Sequence, residues 1–140
     1  MVQIAFANIE DAEEIYALLK DVGRSAYTLD LVKDLITTEG SYSLVLTEEK
    51  YVVGALGARA EGKDSSWLYY IVIHPDFRGK GYARELIKKL FEELKSAGIK
   101  RVALDTPDKE FFSKFHFREA GRIPNWYVDK DQFIMYYELS

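Results

Sequence analysis

Between Trp67 and Leu94, an apolar strand pattern runs into a glycine-rich basic turn and then into an amphipathic helix. The turn reads Arg78-Gly79-Lys80-Gly81-Tyr82-Ala83-Arg84. Glycines let backbone N–H groups approach an anion without an intervening Cβ atom, and the first turn of a helix adds unpaired donors at the positive end of its dipole. The segment therefore predicts a strand, turn and helix that together bind a phosphate or pyrophosphate group.

Other glycine-rich phosphate loops fit this spacing less well. A Walker loop requires Gly-Lys followed by Ser or Thr, whereas Lys80 is followed by Gly81. The dinucleotide fingerprint G-x-G-x-x-G/A matches Gly79 and Gly81 but places Arg84 where a small residue is needed. Asp105, at the end of the next strand, partly imitates the ribose-binding acid of that motif. A dinucleotide site therefore stays open as the second interpretation.

Composition and charge exclude several classes of protein. The chain has 140 residues, 48% hydrophobic and 30% charged, with a formal net charge of −4 and no cysteine. This length favours one domain, residues 1–140. Without cysteine there is no disulfide framework, thiolate metal site or acyl-cysteine relay. The net charge argues against general nucleic-acid binding, although a local basic patch for a phosphorylated ligand is compatible with it.

Signals for membranes and metals are also missing from the sequence. It has no apolar run of about 20 residues and no charged-then-apolar leader, so we expect a cytoplasmic protein with no membrane partner. The two histidines, His74 and His116, are far apart and lack a nearby acidic pair. No metal site is therefore expected, and both histidines are interpreted as turn, packed or exposed residues.

Hydrophobic periodicity and turn signals predict the element order β-α-α-β-β-β-α-β-α-β-β. Asn8 and Thr28 are placed to cap the first two helices, and Gly98 to end the third. This order predicts an α/β (α+β) fold with helices on both faces of a mixed sheet. Strands are expected at residues 2–7, 42–47, 51–60, 67–74, 100–105, 117–121 and 132–139, and helices at 9–20, 28–36, 81–98 and 109–114.

In its glycine-rich turn the chain resembles the GNAT superfamily of N-acetyltransferases, which transfer an acetyl group from acetyl-CoA to an amine. The family motif [RQ]-x-x-G-x-[GA] falls on Arg78, Gly81 and Ala83. The resemblance implies the acyl-CoA N-acyltransferase fold, with a mixed, mostly antiparallel central sheet. It also implies an acetyl-CoA-dependent N-acetyltransferase that works by direct attack in a ternary complex.

The same resemblance implies where the donor, acetyl-CoA, binds. In the family, the strand before the turn diverges from the next strand, and its backbone pairs with the pantetheine arm of CoA as an added strand would. The implied cofactor-binding residues are Ile71, Val72, Ile73, Arg78, Gly79, Lys80, Gly81, Tyr82, Ala83 and Arg84.

Asp105 is the candidate general base. In N-terminal acetyltransferases, which the chain resembles, a glutamate on this strand is proposed to take the proton of the amine. Aspartate is shorter by one methylene, which favours a bridging water. Alternatively, Asp105 begins a turn or caps the helix after Pro107.

The sequence departs from the family pattern at the position of the general acid. Many members carry a tyrosine near the CoA sulfur, but Phe112 occupies that position and cannot donate a proton. Tyr127 is the main candidate substitute, and Tyr69 and Tyr70 are others. A site with no dedicated acid is equally tenable, because a thiol with a pKa of about 8.5 is a fair leaving group.

The resemblance places the acceptor amine between two variable segments. These are residues 21–39, with Tyr27 as a candidate substrate-binding residue, and residues 124–132, with Trp126 beside Tyr127. They are compatible with a small-molecule amine or a peptide N-terminus as partner, and a homodimer is a further expectation. Phe112 also leaves open a non-catalytic acyl-CoA-binding module with a degenerate active site.

Overall fold

The computed structural model describes residues 1–24 and 26–139, and one sheet of seven strands organises them. The strands are β1 (Val2–Phe6), β2 (Leu44–Glu48), β3 (Tyr51–Ala60), β4 (Ser65–Ile73), β5 (Arg101–Thr106), β6 (Arg118–Tyr127) and β7 (Lys130–Glu138). The helices are α1 (Ala12–Asp21), α2 (Leu29–Thr37), α3 (Tyr82–Ser96) and α4 (Lys109–Ser113). The strand order is β1-β2-β3-β4-β5-β7-β6, with β4 and β5 parallel and the other neighbours antiparallel.

The predicted element order and fold class are confirmed. The largest difference in bounds is β6, which was expected to end at Gly121 but continues to Tyr127. This half of β6 is exposed and pairs irregularly with β7, so it lacks the alternation that marks a half-buried strand. Ser25, inside the predicted acceptor segment, and Ser140 lie outside the described residues.

Both predicted helix caps are present. The Asn8 side chain accepts a hydrogen bond from the Glu10 N–H, and the Asp11 carboxylate accepts one from the Asn8 N–H, each at 2.9 Å. This capping box lies at the start of a 3-10 turn over Ile9–Asp11, and the turn leads into α1. The Thr28 hydroxyl accepts from the Leu31 N–H at 3.1 Å at the start of α2. Local signals therefore determine where both helices begin.

Helices on opposite faces of the sheet bury two separate hydrophobic cores. Successive strand residues point to opposite faces, so β2, β3 and β4 contribute to both, whereas the buried apolar residues of β5 belong to the larger core. The larger core, under α3 and α4, includes Leu44, Leu56, Leu86, Leu90, Leu94, Val102, Leu104, Phe112 and Met135. The smaller core, under α1 and α2, includes Ile15, Leu19, Val32, Leu35, Val45, Ala55, Tyr70 and Val72. None of the helices in the described part of the chain is long and apolar enough to span a membrane.

A bulge in β4 changes the direction of its side chains near the centre of the sheet. Gly57 of β3 pairs with Tyr70 and Ala58 pairs with Leu68, which leaves Tyr69 as the extra residue. The Tyr70 ring then lies against Gly57, where a Cβ atom would be 2.3 Å from the ring carbon Cε2. Glycine at position 57 is therefore required by close packing.

We expect Gly57→Ala to destabilise the protein. The added methyl group forces the Tyr70 ring out of place, and overpacking of this kind costs about 1–3 kcal/mol. Thermal unfolding should show a Tm lowered by roughly 3–10 °C. The control is Gly121→Ala in β6, where a Cβ atom meets nothing within 4 Å and φ is not left-handed. Equal Tm values for the two variants would contradict the packing described for Tyr70.

Candidate active site

The parallel strands β4 and β5 separate after a short paired stretch. Their register runs from Ser65 opposite Arg101 to Trp67 opposite Ala103, and in the described chain no further pairs join them. β4 nevertheless continues to Ile73 and β5 to Thr106. The split exposes a backbone edge of β4 to which an extended, amide-bearing ligand can add as a strand would.

A cleft with a volume of about 520 Å³ lies at this split. Thr106 of β5 lines it together with the end of β4, the glycine-rich turn and α4. Lys80 is the one predicted donor-site residue outside the lining, and its Nζ lies 5.4 Å from the centre of the Phe77 ring. The predicted donor-site residues that line the cleft are Ile71, Val72, Ile73, Arg78, Gly79, Gly81, Tyr82, Ala83 and Arg84.

The glycine-rich turn presents open backbone to the cleft. Gly79 and Gly81 have φ angles of +75° and +84°, in the left-handed region that favours glycine. A Cβ atom at either position would meet nothing within 4 Å, so the space beside them is free. The Glu85 N–H bonds to the Gly81 carbonyl at 3.1 Å, and the N–H groups one to three residues earlier have no acceptor within α3. This geometry suits a bound phosphate.

Positive charge gathers around the same cleft. Arg84 lies over the Phe115 ring with its guanidinium carbon 5.1 Å from the ring centre, and Arg24 and Lys114 also line the cleft. Arg78 donates from Nε to the Ile73 carbonyl at 3.0 Å, which ties the turn to the end of β4. Asp108 is the one carboxylate in the lining. An anionic ligand is therefore attracted here although the whole chain is negative.

Phenylalanine side chains of α4 form the wall opposite the turn. Phe111 and Phe112 are 4.9 Å apart in an edge-to-face arrangement, and both line the cleft with Phe115. Phe112 is buried and packs edge-to-face on Phe117 at 5.7 Å. This wall therefore contributes apolar surface and no proton donor.

Asp105 faces away from this cleft because side chains alternate along β5. Its neighbours Leu104 and Thr106 are buried, whereas Asp105 is exposed. Its Oδ2 accepts a hydrogen bond from the Gln132 Nε2 at 2.6 Å. The alternative that Asp105 caps a helix is wrong, because Asp108 caps α4 by accepting from the Phe111 N–H at 3.1 Å.

Tyr27 connects the segment before α2 to the bulge in β4. Its hydroxyl donates a hydrogen bond to the Tyr69 carbonyl, on the extra residue of the bulge. Its ring meets the Tyr70 ring edge-on, with centroids 5.3 Å apart. The bulge therefore provides the acceptor that holds Tyr27 over the sheet.

Tyr27, Asp105 and Tyr127 come close enough for their charges to interact. Burial raises the pKa of Tyr27 to about 12, and the positive charge of Arg24 opposes this rise. Negative charge on Asp105, and on Tyr69 and Tyr127 when ionised, raises that pKa further. Asp105 and Tyr127 therefore lie within electrostatic range of Tyr27, and these are three of the four residues predicted for catalysis and acceptor binding.

Trp126, the fourth of these residues, lies next to Tyr127 near the end of β6. The two side chains are 57% and 51% exposed. The pairing of β6 with β7 is irregular between Ile123 and Tyr127, and Asn125 has a φ of +55°. The Asp131 Oδ1 accepts from the Asn125 N–H at 3.0 Å and holds this irregular segment. Two large aromatic side chains are therefore presented to solvent at the end of β6.

The other tyrosine candidates are engaged elsewhere. Tyr69 donates its hydroxyl to the Glu61 Oε1 at 2.5 Å, and Arg59 Nη2 donates to the same hydroxyl at 3.0 Å. Tyr70 is 2% exposed, and burial raises the pKa of its hydroxyl well above the usual range. Neither hydroxyl lies in the lining of the cleft.

The histidines occupy turns. The Nδ1 of His74 accepts from the Asp76 N–H at 3.1 Å at the start of a 3-10 turn. His116 is exposed with a φ of +68°, in the left-handed conformation that favours glycine. In residues 1–24 and 26–139, no group of three or more His, Cys, Asp or Glu side chains could hold a metal ion.

Sequence reasoning missed three polar side chains at the site. Gln132 contacts Asp105, and Arg24 and Lys114 line the cleft, but none of the three was predicted as a site residue. Lys114 lies two residues after Phe112, the position at which many family members carry a tyrosine, so the resemblance offered a signal for this side chain. Arg24 and Gln132 lie in the two segments expected to bind the acceptor, residues 21–39 and 124–132, but no local pattern distinguishes them from their neighbours there.

Comparison with known proteins identifies the family. A family model described as "Acetyltransferase (GNAT) family" matches residues 9–117. The chain belongs to this family. A relative named uncharacterized N-acetyltransferase ycf52, from Gracilaria tenuistipitata var. liui, is 22% identical over 100 residues, which cover 71% of this chain.

Solved structures agree with this GNAT assignment at the level of the fold. The ribosomal-protein-S18-alanine N-acetyltransferase of Escherichia coli has a TM-score of 0.90 and 19% identity, covering 100% of this chain and 95% of that one. An aminoglycoside 6'-N-acetyltransferase complexed with coenzyme A has a TM-score of 0.86 and 18% identity, and the match covers 99% of this chain and 97% of that one. Matches to curated relatives are shorter and span 36–55% of the length of those proteins.

The raised pKa of Tyr27 predicts a pH dependence of stability. Below about pH 10 the Tyr27 hydroxyl is protonated in both the folded and the unfolded protein. Between about pH 10 and 12 it is ionised in the unfolded chain but still protonated in the folded protein. The free energy of unfolding should therefore fall as pH rises through this window. For a partly exposed group we expect a contribution of about 1–2 kcal/mol.

Denaturant unfolding of Tyr27→Phe and wild type at about pH 9 and pH 11 tests this prediction. The variant should lose less stability on going to the higher pH. Tyr51→Phe, which removes the hydroxyl of a side chain that is 59% exposed, is the control and should follow wild type. The prediction fails if Tyr27→Phe follows wild type as well.

Proposed function

We propose that this GNAT family member is an N-acetyltransferase that transfers the acetyl group of acetyl-CoA to an amine. One observation carries the proposal. At the split between β4 and β5, a basic, glycine-lined cleft with Thr106 in its lining meets an exposed carboxylate, Asp105, whose side chain points to the other face of β5. A thioester in the split can therefore be reached by an amine from the opposite side.

The donor side has the features that CoA requires. Unpaired N–H groups at the start of α3, with Arg78 and Arg84, suit a pyrophosphate. The free edge of β4 at Ile71, Val72 and Ile73 suits the two amides of pantetheine, and the α4 phenylalanines offer apolar contact. Acetyl-CoA, when bound, supplies an acyl carbon activated as a thioester.

Asp105 is the proposed general base. Most amines are protonated at neutral pH, so a carboxylate near the acceptor must remove a proton before nitrogen can attack. Asp105 is exposed on the acceptor face and has its Oδ2 held by Gln132. Because its side chain is short, we propose that the proton passes through one water.

Tyr127 is the proposed general acid. Its side chain is exposed and lies within electrostatic range of Tyr27, whereas Phe112 leaves the α4 wall without a donor. A tyrosine here can protonate the departing thiolate as the carbon–sulfur bond breaks. This role depends on Tyr127 turning toward the split when both substrates are bound.

We propose that Tyr27 and Trp126 bind the acceptor amine from either side of Asp105. Their aromatic surfaces suit a peptide N-terminus or a hydrophobic small amine. The two kinds of acceptor in the names of the solved structures, a protein alanine and an aminoglycoside, leave both classes open. We also propose that residues 1–140 act as one domain without a metal, while cytoplasmic location and a homodimer stay predictions.

A non-catalytic acyl-CoA-binding module is the second candidate. Phe112, buried at the position where many relatives carry a tyrosine, favours it because the α4 wall then provides no acid. Such a module would bind CoA without turning over any amine. A dinucleotide-binding enzyme, the third interpretation, would bind NAD and not CoA.

We expect acetyl-CoA to stabilise the protein strongly. At a concentration about 100 times its Kd, a ligand adds roughly 2.7 kcal/mol, which corresponds to a Tm increase of about 9 °C for a chain of this length. Arg84→Ala should weaken binding about tenfold, because it removes one charge-assisted contact to phosphate, and should roughly halve the Tm shift.

Thermal shift with acetyl-CoA, CoA and NAD measures these effects. Lys88→Ala is the matched control, because Lys88 is exposed one helical turn after Arg84 and lies outside the cleft lining. A shift with NAD and none with acetyl-CoA would refute the proposed donor. Equal losses in the two variants would contradict the position assigned to the phosphates.

We expect Asp105→Asn to lower kcat with the acceptor amine by about 10²–10⁴-fold, since removal of a general base has this range of effect. The Kd for acetyl-CoA should not change, because Asp105 lies outside the cleft lining. The assay follows CoA release across a panel of small amines and peptides. Glu138→Gln, at the far end of β7 and paired with Arg101, is the control. CoA binding without turnover of any amine would favour the non-catalytic module.

A further inference from the structure

Gln132 is a buried polar residue whose amide contacts the candidate base. Its side chain is 5% exposed, and its Nε2 donates to the Asp105 Oδ2 at 2.6 Å. The two residues are 27 positions apart in sequence and lie on adjacent antiparallel strands. Such a short bond to a carboxylate is characteristic of a charge-assisted contact.

The chemistry of the two groups determines the orientation of the amide. An ionised carboxylate can only accept hydrogen bonds, so the NH2 group of Gln132 must face Asp105. Its Oε1 is then directed away from Asp105, is buried, and has no hydrogen-bond partner within residues 1–24 and 26–139. A buried acceptor in this state lowers stability. An apolar side chain of similar size would avoid that cost.

The sheet holds both partners in a rigid frame. Asp105 pairs directly with Ile134, and Gln132 precedes Ile134 by two residues, so its side chain lies on the same face of the sheet as Asp105. One carboxylate oxygen is bonded by Gln132, and in the described structure Oδ1 has no protein hydrogen bond. The free oxygen therefore has a defined position from which to accept a proton.

We propose that Gln132 is a positioning residue that holds the Asp105 carboxylate for proton removal from the acceptor amine. The inference rests on the proposed function of Asp105 as general base. It explains why the fold keeps a buried amide with one unsatisfied oxygen at a position where stability favours an apolar residue. Gln132 acts through Asp105 and need not touch either substrate.

A double-mutant cycle tests whether Gln132 acts through Asp105. Gln132→Leu should lower kcat/KM for the amine about 10- to 100-fold, since a small displacement of a catalytic group has effects of this size. The Kd for acetyl-CoA should be unchanged and the Tm equal to or above that of wild type. In the Asp105→Ala background, Gln132→Leu should cause no further loss.

Gln3→Leu is the matched control, because Gln3 is the other glutamine of the chain and is exposed on β1 at the opposite edge of the sheet. It should leave kcat/KM unchanged. A purely structural role for Gln132 predicts instead a lowered Tm and equal losses in the wild-type and Asp105→Ala backgrounds. That result would overturn the proposal, as would full activity in Gln132→Leu.

Crystal structures of wild type and Gln132→Leu decide the question without turnover. We expect the Asp105 carboxylate to move or to adopt several conformations in the variant. An unchanged single conformation would refute the positioning role even if activity falls. If wild type binds acetyl-CoA but acetylates no amine, the proposed function fails, and the two crystal structures still decide whether Gln132 holds Asp105.

Discussion

The partial pairing between β4 and β5 is the constraint on which the rest of the site depends. Parallel neighbours need a long crossover connection, and here it consists of the glycine-rich turn and α3. The turn must begin where β4 ends, so the N-terminus of α3 comes to the mouth of the split. Had the two strands paired along their full length, the same turn would face a closed sheet. The separation after Trp67 thus leaves an open cleft beside the start of α3.

Strand geometry also separates the proposed donor side of the site from the proposed acceptor side. Along β5, Thr106 points to the cleft and Asp105 to the opposite face, because successive side chains alternate. In β4 the bulge at Tyr69 interrupts the alternation and provides the carbonyl that holds Tyr27. The bulge in β4 therefore positions Tyr27, and the alternation along β5 directs Thr106 and Asp105 to opposite sides of the split between the two strands.

Local chemistry explains which features could be predicted from the sequence. The caps at Asn8 and Thr28, the element order, the fold and the family follow from residues a few positions apart, and all are confirmed. The contact between Gln132 and Asp105, the bulge at Tyr69 and the course of β6 depend on strand register, which the surrounding fold determines. No pattern of neighbouring residues encodes them, so they had to be read from the structure.

The donor and acceptor sides differ in how much they depend on side chains. Backbone groups of β4, two glycines and the start of α3 form most of the proposed donor side, so it tolerates many sequences and its motif is recognisable at low identity. Side chains from the segment before α2, from β5 and from the β6–β7 hairpin form the proposed acceptor side, and each can change independently. Family membership therefore constrains the donor. The proposed acceptor side rests on this chain's own residues, namely the Asp105 carboxylate with its hydrogen bond from the Gln132 amide and the aromatic rings of Tyr27 and Trp126.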